Sequence, residues 1–203
     1  MRYTQALFVC ALLSSVPTLA AAQDFGVVES AETINQGNVK IRANPMLIFG
    51  KNGQDSTPGI AVVVGYGFTK SFDAEGGIAA YDGVTFFGGN GEYWLMKHEP
   101  FDFSISAGLH GRRGSQTVDV MGVDLTLLPS KHVGDRLDLY SALDFAFESV
   151  SSKNGGGHFK TVHVVPGVEY GITHDLDLVA EIGIALNDSA NHYVSGGFAY
   201  YFR

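Results

Sequence analysis

From Leu176 onward every second residue is apolar: Leu176, Leu178, Ala180, Ile182, Ile184 and Leu186 alternate with Asp177, Val179, Glu181, Gly183 and Ala185. After a polar turn at Asn187-Asp188-Ser189-Ala190 the alternation resumes, with Val194, Gly196, Phe198, Tyr200 and Phe202 on one face. Period two marks a strand, and about eleven residues is the length a tilted strand needs to cross a bilayer. An oily face opposite a face of Gly, Asp and Glu suits a wall between lipid and a polar lumen.

The same pattern recurs upstream. Val39 to Phe49 sets Val39, Ile41, Ala43, Pro45, Leu47 and Phe49 against Lys40, Arg42 and Asn44, with Pro45 removing one ladder donor. Ile60 to Thr69 and Phe101 to His110 alternate cleanly, and Thr117 to Leu128, Leu137 to Val150 and Phe159 to Gly171 read as further strands. Glu75 to Phe87 is less regular, with Asp82-Gly83 read as a bulge or bend. Gly88 to Gly91 reads as a turn before a short strand at Glu92 to Lys97, and Gly155 to Gly157 as part of another turn. With the closing hairpin this makes ten strands, or eight if the short one merges with a neighbour. The pattern predicts an all-β, antiparallel, up-and-down transmembrane β-barrel. An even count returns both ends of the barrel to one side, so the connections after odd-numbered strands, rich in Gly, Asn and Ser, should face outward.

Alternation alone also fits a soluble exported β-barrel that binds an apolar ligand, in which the oily face points inward. Three features favour the membrane. Acids recur in mid-strand on the polar face (Asp144, Glu169, Glu181). Aromatics gather toward strand ends, at Phe49, Phe68, Phe86, Tyr93, Phe101, Phe147, Phe159, Tyr170, Tyr200 and Phe202, as interface girdles do. The chain also closes on a strand.

Composition narrows the classes. Charged residues are only 17%, glycines number 26 and the net charge is −8, which argues against nucleic acid as a partner. Residues 1–22 read as a signal peptide, with Arg2, the apolar Ala6 to Leu13 and a small-residue site at Ala20-Ala21-Ala22. The lone cysteine, Cys10, lies inside it, so the mature chain expects no disulfide or thiolate chemistry. Residues 23–37 form an N-terminal lead-in and 38–203 the barrel domain; no later run of apolar residues is long enough for a spanning helix.

A signal peptide, about ten amphipathic strands and a final Gly197-Phe198-Ala199-Tyr200-Tyr201-Phe202 resemble the small outer-membrane β-barrel proteins of Gram-negative bacteria. That closing strand is similar to the signal read by the barrel-assembly machinery in this group, although Arg203 follows the last aromatic. The resemblance implies localisation in the cell outer membrane, contact with outer-membrane lipid, insertion by that machinery and a monomer.

The predicted lumen face gathers Lys40, Arg42, Asp102, His110, Asp138, Asp144, Glu148, His163, Glu169, Asp177 and Glu181. A barrel of about eight strands is just filled by its side chains, and open channels appear at around sixteen. The cluster is therefore expected to be a charged plug of ion pairs and hydrogen bonds, leaving at most a narrow, cation-leaning pore. A rim enzyme acting on lipid or peptide is the alternative. Omptin-type proteases place paired Asp and Asp-His groups above the membrane, but the outward connections here are too short for a cleft. His158, Asp188 and His192 are the only trio that suggests itself there. His110 and His163 could approach one another, yet two histidines fall short of the three or four ligands of a zinc site. No catalytic residue, metal or cofactor is expected, and the role expected is structural or limited permeation.

Overall fold

The computed structural model describes residues 25–98, 101–113, 119–152 and 155–203. The signal-peptide reading of residues 1–22 lies outside them. Ten strands form: β1 (Val39–Ile48), β2 (Thr57–Gly67), β3 (Phe72–Tyr81), β4 (Val84–His98), β5 (Phe101–Arg113), β6 (Asp119–Val133), β7 (Leu137–Ser152), β8 (Gly155–Gly171), β9 (Leu176–Ala185) and β10 (Tyr193–Phe202). Each pairs antiparallel with its sequence neighbours, and β10 closes on β1, with Val39 opposite Phe202 and Ile48 opposite Tyr193. Closure leaves no sheet edge unpaired. We call the end where β1 begins and β10 finishes the near mouth, and the opposite end the far mouth.

Pro45 keeps its place opposite Ile60 of β2, but toward β10 the pairing jumps from Ala43–Phe198 to Met46–Ser195. The missing N–H thus interrupts the closing seam without shifting its register. Three local expectations fail. Asp82-Gly83 is not a bulge but the whole β3–β4 turn, with φ of 41° and 76°. Positive φ at both central residues is what a two-residue hairpin with right-handed twist demands. Gly88 to Gly91, expected as a turn, runs through β4 and pairs with Gly77 to Ala74 of β3. Gly155 to Gly157 likewise begin β8, pairing with Ser152 to Val150. The β4 stretch has a tertiary reason: a Cβ on Gly88 would lie 3.1 Å from Phe25 Cε2, so the missing side chain makes room for a ring inside the barrel.

Sidedness follows the alternation. Leu178 and Ile182 are 41% and 52% exposed on the outer wall, whereas Asp144 and Glu181 are 2% and 4% exposed inside. The outward aromatics form belts near both mouths, including Phe68, Phe72, Tyr93, Tyr200 and Phe202 at the near one. Phe86 departs from the predicted girdle: it turns inward, packed edge-on against Tyr81 at 5.2 Å. The lumen is also less polar than expected, because Val27, Val28, Met46, Leu128, Tyr140, Val179 and Tyr193 build an apolar cluster within it.

On the closing hairpin the Tyr193 ring lies across Gly183, where an added Cβ would sit 1.8 Å from Tyr193 Cε1. Gly183→Ala is therefore expected to cost about 1–3 kcal/mol of folding free energy by overpacking. A lowered urea midpoint in phospholipid vesicles reads this; an unchanged midpoint would mean the ring swings aside freely.

Candidate functional site

The residues before β1 have no strand partner, so their backbone groups must find other acceptors and donors. They find them inside the barrel. From Phe25 to Asn38 the chain runs down the lumen toward the near mouth, where Gly37 N–H donates to Gly67 O at 2.8 Å. Five of its amides are accepted by wall side chains. Val27 and Val28 donate to the two oxygens of Glu181 at 3.1 and 2.7 Å, Ser30 to Glu169 at 3.0 Å, Ala31 to Ser130 Oγ at 3.0 Å and Ile34 to Asp73 at 2.6 Å. On the carbonyl side, Arg42 Nη1 donates to Val27 O and Val28 O at 2.8 and 2.9 Å, and Asn44 Nδ2 to Phe25 O at 2.8 Å.

Glu181 and Arg42 thus grip both edges of the Val27-Val28 pair. Tyr140 Oη donates to Glu181 at 3.0 Å and so holds the carboxylate in place. The grip matters because Val28 sits at φ 46°, a left-handed conformation that is an outlier for a β-branched residue. Such strain persists only where surrounding contacts over-determine it. Gly26, at φ 71°, passes so close to Glu181 that a Cβ would lie 2.5 Å from Oε1. Below this pair, Lys40 Nζ joins Glu29 at 2.9 Å to Glu75 at 2.5 Å, fastening the segment to β1 and β3. Charge-assisted bonds of this kind, fully out of water, are the stronger class.

All of the sequence-predicted lumen residues point inward. Lys40, Arg42, Asp102, His110, Asp144, Glu148, His163 and Glu181 are buried, and Asp138, Glu169 and Asp177 are half-buried at the near mouth. They do not form one cluster. Toward the far mouth His110 lies between Asp124 (2.7 Å) and Glu148 (3.2 Å), with Arg112 at 3.9 Å from Glu148. Asp144 accepts from Thr126 Oγ1 at 2.7 Å. His163 does not share these partners; its Nε2 lies 2.9 Å from Asn191 O and its ring packs edge-on against Tyr193. At the near mouth Asp102 and Asp138 flank His132. The lumen thus holds not only side chains pairing with one another but a length of backbone that wall side chains grip. Sequence reasoning missed Phe25 to Asn38, and with it Asp73, Glu75, Ser130 and Tyr140.

At the far mouth the structure does not bring the sequence-predicted trio together among the described residues. His158 and His192 are exposed, His192 Nδ1 takes the Ala185 N–H at 3.1 Å, and no hydrogen bond or ion pair among the described residues joins these histidines to Asp188.

No protein-family model and no curated protein matches this chain. Among solved structures it is similar to an outer-membrane channel from Pseudomonas putida F1, at 9% identity and a TM-score of 0.57, over 88% of this chain and 99% of that one. It is also similar to the KdgM porin (12% identity, TM-score 0.48, 81% and 99% of the two chains). A third likeness is to the outer-membrane protease OmpT from Escherichia coli (8% identity, TM-score 0.46, 85% and 100%). The closed ten-strand meander, with its oily outer wall and largely polar interior, is thus the fold of that outer-membrane channel.

Proposed function

We propose that this chain is a monomeric, non-enzymatic barrel of the Gram-negative outer membrane, with a narrow pore held shut by its own N-terminal segment. The observation that carries the reading is the two-sided grip on Val27-Val28 by Glu181 and Arg42. A barrel of about eight strands is just filled by its own side chains, whereas this ten-strand lumen also takes up a length of backbone, which fills the room that the extra strands create. On this reading the near mouth faces the periplasm, the exposed apolar belt contacts lipid, and the aromatic end of β10 serves the assembly machinery during insertion. The inward wall is rich in acids, so an open lumen favours small cations over anions.

Planar-bilayer recording tests it. The mature chain is expected to show rare, small currents. A chain lacking residues 23–36 is expected to conduct steadily, about tenfold more and with cation preference, because a lumen of about ten strands then loses its filling. Heat-modifiable gel mobility shows that both are folded. A folded deletion variant that conducts no more than the intact chain would overturn the proposal.

A further inference from the structure

The near mouth opens into a cavity of about 520 Å³ lined in part by Glu32, His132 and Asp138. At its wall, one oxygen of Glu32, one of the neighbouring Asp102 and a ring nitrogen of His132 all lie within 4.8 Å of one another. We propose that these three side chains form a binding site for a divalent transition-metal ion of the zinc class, which ties the N-terminal plug to the barrel wall.

Three observations carry this. The first is spacing. His132 Nε2 lies 2.8 Å from Glu32 Oε1 and 3.5 Å from Asp102 Oδ2. Metal–ligand bonds of about 2.0–2.2 Å in a tetrahedron put neighbouring donors roughly 3.4 Å apart; the two histidine–carboxylate distances bracket that spacing, and the two carboxylate oxygens lie within 4.8 Å of each other. The second is orientation. His132 Nδ1 rests against Asp138 Oδ1, which fixes the ring with Nε2 turned to the other two donors. A carboxylate behind the second nitrogen is the usual support of a metal-ligating histidine. The third is the state of Asp102. Its side chain is nine-tenths buried, and Trp94 Nε1–H donates to Oδ1 at 3.2 Å, which leaves Oδ2 aimed at the site. The cavity leaves the fourth position open to water, and one imidazole with two carboxylates suits zinc-class ions better than soft or purely oxygen-seeking ones.

The placement gives the ion a mechanical consequence. Asp102 is on β5 and His132 on β6, whereas Glu32 belongs to the segment that leaves the lumen. A bound ion therefore cross-links plug to wall two residues from the Ile34 amide held by Asp73.

The protein carries its own reporter, since its single tryptophan is Trp94. Folded mature protein in detergent micelles is titrated with Co²⁺ and followed by tryptophan fluorescence. Saturable quenching with a micromolar midpoint, reversed by Zn²⁺, is expected. His132→Ala should raise the midpoint by about 100-fold or more, and Asp138→Asn, which removes only the support, by about 10–100-fold. Glu32→Gln, outside the barrel wall, should weaken binding in a chain whose folding is unaffected. His174→Ala, a histidine of the same cavity set against Arg203, should change nothing. No saturable quenching below millimolar Co²⁺, or an unshifted midpoint in folded His132→Ala and Glu32→Gln, would show an ion-paired cluster only and end the proposal. The titration needs no conduction, so its failure leaves the pore reading standing, and the reverse also holds.

Discussion

Glu181→Ala is expected to undock the plug while leaving the barrel closed. The substitution removes the acceptor of two amides, Val27 and Val28, and of the Tyr140 hydroxyl, all buried in the lumen. A buried donor left without a partner costs about 1–3 kcal/mol, so the two amides together weigh roughly 2–6 kcal/mol against the docked state. Arg42 keeps Glu75 at 3.4 Å but must hold the Val27 and Val28 carbonyls alone, against the left-handed strain at Val28. At about 1.4 kcal/mol per decade the undocked fraction rises at least roughly 30-fold. Amide hydrogen exchange at Val27 and Val28 should accelerate by that factor, while the β9 and β10 ladder amides stay protected. Glu181→Gln, which keeps one carbonyl oxygen, should fall between. Unaltered exchange in the alanine variant would mean the segment is held by its apolar side chains and not by the carboxylate.

The parts of this molecule that were legible in the sequence share a physical cause. Every strand pairs with a neighbour and separates two environments, so it must alternate, and the alternation locates Leu178 outside and Glu181 inside before any coordinates. The plug obeys no such constraint. Phe25 to Asn38 meets acceptors from five different strands, and Val28 finds Glu181 at a separation of 153 residues, so nothing repeats along the segment. One signal did exist. The predicted lumen face held seven acids against Lys40 and Arg42, an excess that needs donors. Backbone amides supply them. The course of Gly88 to Gly91 has a similar origin: local turn chemistry is overridden by pairing with β3 on one side and β5 on the other, and at Gly88 the bare backbone leaves room for Phe25, more than sixty positions earlier. Asp82-Gly83 is the opposite case, a strong hairpin dipeptide across which the inward face changes phase, from Ala79 and Tyr81 to Val84 and Phe86, an irregularity that a bulge would also produce.

Val62→Arg is expected to be among the most damaging single changes on the outer wall. Val62 stands at the middle of β2, opposite Ala43 of β1 and Ile78 of β3, and is 40% exposed. An exposed valine on a water-facing sheet tolerates such a change within about 0.5 kcal/mol. On a lipid-facing wall the guanidinium meets hydrocarbon, and at the bilayer midplane this costs about 2–4 kcal/mol. The folded-to-unfolded ratio in phospholipid vesicles should then fall by roughly 30- to 1000-fold, read as a shifted urea midpoint with Val62→Ala as the size control. The same arginine placed at Phe202, at the near-mouth end of β10, should cost only about 0–1 kcal/mol, because it reaches the interface. A difference between the two positions measures depth in a bilayer, which neither packing nor strand propensity produces. Equal and small costs at both would place water, not lipid, against the outer wall and overturn the sidedness on which the pore reading rests.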